Sequence, residues 1–304
     1  KKSISLDLKN ENDKNIFYEL IKTADVFVEN YSPNIKTKLQ IDYNTLSKIN
    51  PKLIYTSLNW YWDDLNKKAY DVIIQAESWL ASLNWETFPM KNATSIIDAF
   101  SWMSLALAIS SLLYKREQTW KWDYVNVSML ACATQLLEQN LTETSITKQN
   151  PDFVWNQDSA IFPFWFFHTK DFNISLAIWN DLLWEKFCEI FLPNFVWKYI
   201  WNSERLKNKS FLIEKIEQEF KKFSSKIIWE KLDNLWIPNS KINTMSDVLE
   251  NHNLYKSNAL KKMSHKDLWE CVFPYEFTKY NSYKINDIKP APKIWEHNKD
   301  FNIL

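Results

Sequence analysis

A chain of 304 residues with 46% hydrophobic content holds enough apolar material for one large or two medium domains around a substantial core. Its 37 basic and 37 acidic residues cancel, which removes the electrostatic argument for nucleic acid or an anionic membrane as partner. Cys132, Cys188 and Cys271 form neither a metal-ligand spacing nor an even disulfide set, so the cytoplasm is the expected compartment.

The opening KKSISLDLK carries no signal-peptide pattern, and without an initiating Met the chain is expected to be amino-terminally truncated. Asp13 to Thr23 has helical apolar spacing, and the ADVFVEN that follows reads as a short buried strand. Asp42 to Ile49 is expected to be helical and Leu53 to Ser57 extended, before two long helices, Tyr70 to Leu83 and Asp98 to Arg116. Tyr124 to Val127 is a strand leading into a helix over Ser128 to Asn140. This alternation is that of an α/β layer built on parallel pairing. The apolar run Met103 to Tyr114 is too short to span a bilayer, so no membrane partner is expected.

The polar, aperiodic stretch Thr142 to Asp158, which contains Pro151, reads as a linker. Beyond it, SAIFPFWFFHTKDFNISLAIW alternates like an antiparallel hairpin, and helices are predicted at Asp181 to Phe191, Ser210 to Phe223 and Lys226 to Leu235. Together these describe a smaller α+β domain. The last stretch, Leu268 to Leu304, mixes strand-like pieces with the Pro-containing KPAPKIWEHN.

The chain has 17 Trp and no Gly, against an average glycine usage of about 7%. In LDNLWIPNS a helix ends at Leu235 and Trp236 stands where a left-handed glycine usually closes a helix, with Pro238 just beyond. Trp120 and Trp122 in TWKWDYVNV, and Trp60 and Trp62 in SLNWYWDD, stand in turns. Most or all of the tryptophans are therefore expected at glycine positions, as when a UGA codon read as glycine is printed as Trp. The other reading is an aromatic binding surface for bases or sugars.

No phosphate loop, metal-spaced His pair or Ser/His/Asp order is legible, and the four histidines lie far apart. Asp98 is the carboxylate that stands out, because IIDAFSWMSLALA puts it at the start of a long apolar helix. There the positive end of the dipole favours its ionised form, as a carboxylate nucleophile requires, although position alone also fits a simple cap.

With glycine written for tryptophan the text becomes SLNGYG, AYDVIIQAESGLASLNGE, IIDAFSGMSLALA, TGKGDYVNVSM and PAPKIGEHN. In that order, and with ADVFVENYSP and INPKLIYTSL, these resemble the class III CoA-transferase family, including formyl-CoA and carnitine CoA-transferases and the related α-methylacyl-CoA racemases. The resemblance covers nearly the whole chain. It implies an α/β, Rossmann-like large domain over 1–147 and 258–304 and a small domain over 160–250. Linkers would lie at 148–159 and 251–257, and the chain would form an interlocked homodimer. It implies coenzyme A, carried as an acyl-CoA, and a small carboxylic acid as the partners, with no metal. By resemblance Asp98 is the nucleophile, and Tyr70 and Asp71 line the transferase site. Leu6, Lys9, Asn30, Tyr31, Lys38 and Lys68 bind CoA, Lys38 standing where relatives often have Arg and so surrendering a bidentate fork. Racemases look to use a His at the position of Tyr70 as an α-proton acid/base, a role a tyrosine does not readily fill near neutral pH. Transferase is therefore favoured, with acceptors such as oxalate, carnitine and succinate all open; indoles at Trp60, Trp62 and Trp102 would obstruct the site.

Overall fold

The computed structural model describes residues 1–62, 65, 67–83, 88–119, 122–151, 158, 160–265, 269–282 and 289–301; the expectation for Trp120 and most of the linker 148–159 fall outside these. Contacts divide the chain into two compact units, Lys2–Trp155 with Ile294–Leu304, and Asn156–Lys293 with Lys1.

The first unit runs α1 (Glu11–Thr23), β1 (Val26–Glu29), α2 (Pro33–Leu39), α3 (Tyr43–Ile49), β2 (Ile54–Asn59), α4 (Asp71–Glu77), α5 (Ile96–Thr119), β3 (Tyr124–Ser128), α6 (Met129–Leu136) and α7 (Glu138–Thr147). α1 starts where Asn10 accepts from the amides of Asn12 and Asp13, and α3 where Asp42 accepts from that of Thr45. The three strands pair in parallel in the order β1-β2-β3, with Val26 beside Ile54 and Tyr55 beside Tyr124. Every residue of the middle strand β2 is buried, as a strand covered on both faces must be. Alternation sends Tyr55 to one face, with Ile21 and Leu46, and Leu58 to the other, with Ile74, Ile97, Leu105 and Met129.

The second unit opens with the antiparallel hairpin β4 (Phe164–His168) and β5 (Asn173–Ala177). It continues through α8 (Asp181–Phe191), α9 (Asn202–Lys207), α10 (Lys209–Phe220) and α11 (Ser225–Asn234) to β6 (Asn239–Lys241), which pairs with β5. Phe167, Ile174, Phe187, Leu212, Phe220 and Leu232 make its core. Arg205 is buried there and donates to the carbonyls of Phe162 and Tyr199 and to Asp181. Last come α12 (Met245–Glu250), α13 (His252–Lys256) and the hairpin β7 (Leu260–His265) with β8 (Trp269–Pro274).

Several boundaries differ from expectation. The helix predicted over Tyr70 to Leu83 stops at Glu77, because Trp79 turns left-handed with φ 73°. The helix over Ser128 to Asn140 breaks at Leu137, whose φ of −110° and ψ of 16° leave the helical region, and α7 then carries helix to Thr147, into the stretch expected as linker from Thr142. α9 was not anticipated. α5 extends the apolar run Met103 to Tyr114 at both ends, and at 24 residues it is the one helix among the described residues long and apolar enough to cross a membrane by length and composition. Residues 258–293, expected with the large domain, group by contact with the second unit, since β7 pairs along its length with β8 and adjoins α13. The return to the first unit comes at Ile294, where His297 and Ser3 exchange two hydrogen bonds of 3.0 Å.

Among the described residues, eight have positive φ, and four of these are Trp79, Trp236, Trp269 and Trp295. At Trp236 the geometry is a full Schellman closure of α11: its amide bonds to Asp233 O and the Ile237 amide to Leu232 O, at 2.9 and 3.0 Å. The φ there is 58°, a region that glycine enters without the penalty of a Cβ. Trp184 differs in kind, since it is buried in α8 and stacked on Phe187 at 5.8 Å.

Candidate active site

Asp98 is the third residue of α5. The fully buried Ile97 beside it anchors the helix start in the core with Leu58, Ala69 and Ile74. First-turn amides have no intrahelical acceptor. Asp71, the first residue of α4, supplies one from across the fold: its Oδ1 accepts from the amides of Ile97 and Asp98 at 2.9 and 3.2 Å. Its Oδ2 accepts from Gln75 Nε2 at 2.5 Å, and Gln75 Oε1 accepts from the Asn92 amide at 2.7 Å.

This changes the electrostatics expected from the helix dipole. The amides at the start of α5 are occupied by Asp71, so the Asp98 carboxyl does not have them to itself. Burial raises its pKa above the ordinary carboxylate value and the neighbouring Asp71 charge adds to the rise, partly offset by a hydrogen bond from the Ser95 side chain. Burial and the Asp71 charge therefore both oppose the dipole at this helix start. Two carboxylates meet here, one buried as a cap and one half-buried beside it.

Tyr70 precedes α4 and is 75% exposed, its ring meeting that of Trp60 edge-on at 6.4 Å. Trp62 is exposed, and so is Trp102, one helical turn beyond Asp98.

A second polar cluster lies at the carboxyl ends of the three strands, the edge at which parallel α/β sheets bind ligands. The buried Glu29 closes β1, and its Oε2 accepts from the Tyr31 amide at 2.6 Å. Its other oxygen takes the Ser57 hydroxyl hydrogen and lies 3.2 Å from Lys36 Nζ. Ser57 Oγ accepts in turn from Lys36 at 2.9 Å and from Asn59 at 3.0 Å, and Asn59 also donates to Asn126 Oδ1 on β3. Asn30 Nδ2 donates to the Leu58 carbonyl.

Asn30 and Tyr31 are therefore pinned to the sheet edge by a buried network. Leu6 is half-buried, while Lys9, Lys38 and Lys68 are exposed on separate segments. Among the described residues no hydrogen bond ties these four to the Asp71–Asp98 pair. Sequence reading missed Gln75, four residues after Asp71 on the same helix face, and missed Glu29, Lys36 and Ser57. The i, i+4 spacing was the available signal for Gln75. Among the described residues no group of three or more His, Cys, Asp or Glu is placed to hold a metal ion.

A parallel sheet with a polar carboxyl edge, set in the same unit as a helix start that carries two carboxylates, is the frame of a mixed α/β enzyme. Residues 1–298 match the model of CoA-transferase family III, and the chain belongs to that family. It is 29% identical to acetyl-CoA:oxalate CoA-transferase of Acetobacter aceti, over 97% of this chain and 77% of that protein. It is 24% identical to succinyl-CoA:glutarate CoA-transferase of Mus musculus, over 98% and 70%. The fold is that of a CAIB/BAIF family protein from Brucella suis, with a TM-score of 0.86 at 22% identity, covering 99% of this chain and 80% of the other. The members named here act on acyl-CoA and carboxylate substrates.

Proposed function

We propose that the protein moves CoA from an acyl-CoA donor to a carboxylic acid through covalent intermediates on Asp98. The Asp98 carboxylate attacks the donor thioester carbonyl, forming an aspartyl acyl anhydride and releasing CoA thiolate. The thiolate attacks the aspartyl carbonyl, freeing the donor acid and leaving an aspartyl-CoA thioester. The acceptor carboxylate displaces the thiolate to give a second anhydride. Thiolate attack on the acceptor carbonyl then yields the new acyl-CoA and restores Asp98. The carrying observation is the environment of Asp98: a carboxylate destabilised by burial and by Asp71 gains when acylation removes its charge.

Leu6, Lys9, Asn30, Tyr31, Lys38 and Lys68 are assigned to CoA, a reading supported by the anchoring of Asn30 and Tyr31 at the sheet edge. Tyr70 borders the site, and its phenol disfavours racemase chemistry, which needs a base able to take an α-proton. The Rossmann-like description is supported by the parallel sheet, and a cytoplasmic setting by the buried thiols of Cys132 and Cys188. A homodimer is supported by the exposed apolar side chains of α5. The four left-handed tryptophans support reading Trp as glycine at those four positions; extended to the other tryptophans, the same reading would also clear Trp60, Trp62 and Trp102 from the site.

The test is incubation with acetyl-CoA or succinyl-CoA and hydroxylamine, followed by peptide mapping. A hydroxamate at Asp98, absent from Asp98→Asn, is expected, together with a loss of oxalate- or glutarate-dependent transfer on the order of 10^4-fold. Transfer that survives Asp98→Asn, or α-proton exchange without an adduct, would sink the reading.

A further inference from the structure

We infer that Gln75 is a positioning residue for the chemistry at Asp98, because its side-chain amide fixes Asp71 on the first amides of α5 and ties that fixture to Asn92. The consequence for rate rests on Asp98 being the nucleophile; the structural coupling does not.

Gln75 is completely buried, and both ends of its amide are committed. The backbone N–H of Asn92 can only donate, so Gln75 Oε1 must face it, and this fixes the NH2 group toward Asp71. Asp71 then turns its second oxygen to the Ile97 and Asp98 amides. The polarity of the chain is set from end to end: Asn92 N–H to Gln75, Gln75 N–H to Asp71, and α5 N–H groups to Asp71. A buried glutamine that merely filled space would not hold the carboxylate whose other oxygen accepts from the peptide nitrogen of Asp98. Gln75 also holds the carboxylate that is the neighbouring charge acting on Asp98.

The directionality gives a reciprocal test. Gln75→Glu sets an acceptor against the Asp71 carboxylate, and Asp71→Asn sets an NH2 against the NH2 of Gln75. The double variant makes the two groups complementary again with donor and acceptor exchanged, so the two changes should couple. In the full chain, three quantities are read: amide exchange at Ile97 and Asp98, the NMR titration of the Asp98 carboxyl, and single-turnover adduct formation. Each single variant is expected to speed exchange at both amides and to slow adduct formation by about 10-fold or more, and the double to return amide exchange, the readout that does not depend on the Asp71 charge, to within about 3-fold of the parent. Asp98 should titrate higher in Gln75→Glu and lower than the parent in the double, whose charge stands farther away. If Gln75→Glu does not fold, Gln75→Met, which keeps the shape without either hydrogen bond, should show the same faster exchange and slower adduct formation. Parent-like exchange and titration in a folded Gln75 variant would overturn the inference, as would a double variant no better than the worse single. Absence of an Asp98 adduct in the parent, with exchange and titration still following residue 75, would instead overturn the functional reading and uphold the coupling.

Discussion

Trp236 shows at one residue how backbone and side chain disagree. It turns with φ 58° to close α11, yet its indole is 88% exposed. A side chain so placed contributes little burial, while a left-handed non-glycine residue is strained by about 1–3 kcal/mol. Glycine would remove the strain and lose about 0.5–1 kcal/mol through the greater freedom of the unfolded chain. Trp236→Gly should therefore stabilise the printed sequence by about 1 kcal/mol in urea unfolding. Trp184→Gly should do the reverse by about 3–5 kcal/mol, because that indole is 1% exposed in the second core. If the gene itself specifies glycine, the tryptic peptide Leu232 to Lys241 from the expressed natural gene will be lighter by the Trp–Gly mass difference. A full tryptophan mass in that peptide ends the recoding idea, and a destabilised Trp236→Gly ends the strain argument.

At the scale of the element, β1, α2 and β2 are joined by the buried Lys36–Glu29 pair, with the two side chains only 6% and 1% exposed. Removing one partner leaves the other charge in a low-dielectric interior, and the typical penalty is about 3–5 kcal/mol. Lys36→Met should therefore destabilise the first unit by that amount, while adding Glu29→Gln should recover most of it. A near-neutral Lys36→Met in chemical denaturation would contradict the pairing. None of this was legible in VENYSPNIK, where Lys36 is one charge among several on a short helix and Glu29 is the end of a strand. The strands themselves were legible as short apolar runs in ADVFVEN, at Leu53 to Ser57 and at Tyr124 to Val127, close to the observed 26–29, 54–59 and 124–128. So were the β4–β5 hairpin, from the alternation that is clearest in NISLA, and the start of α5 near Asp98. The state of Asp98 was not, since it depends on burial in the fold and on the charge of Asp71, 27 residues earlier in the chain. Periodicity also ran past the left-handed turn at Trp79, because nothing in helical spacing marks a change in φ when the residue that usually signals it is missing.

For the whole molecule the open question is what covers α5. One side of the helix packs within its own unit, against β2, β3, α4 and α6. On its exposed surface stand Met103, Leu107 and Tyr114. The hydroxyls of Ser110 and Ser111 donate back to the carbonyls of Ala106 and Leu107, at 2.9 Å each, so both could be covered without leaving an unmet donor. Length and composition would also suit a bilayer, but a helix with one side packed on strands cannot be surrounded by lipid. A second copy of the chain fits a one-sided apolar surface better, in keeping with the proposed homodimer. Leu107 is 70% exposed, so Leu107→Glu leaves the core of its own unit untouched and puts a charge on the proposed contact. If the contact forms, burying that charge unpaired should weaken association by about 100-fold or more. Sedimentation should then show dimers of the parent chain at micromolar concentration and monomers of Leu107→Glu with unchanged circular dichroism. A monomeric parent, or a variant that stays dimeric, would mean that the second copy sits elsewhere or is absent, and the apolar surface of α5 would need another occupant.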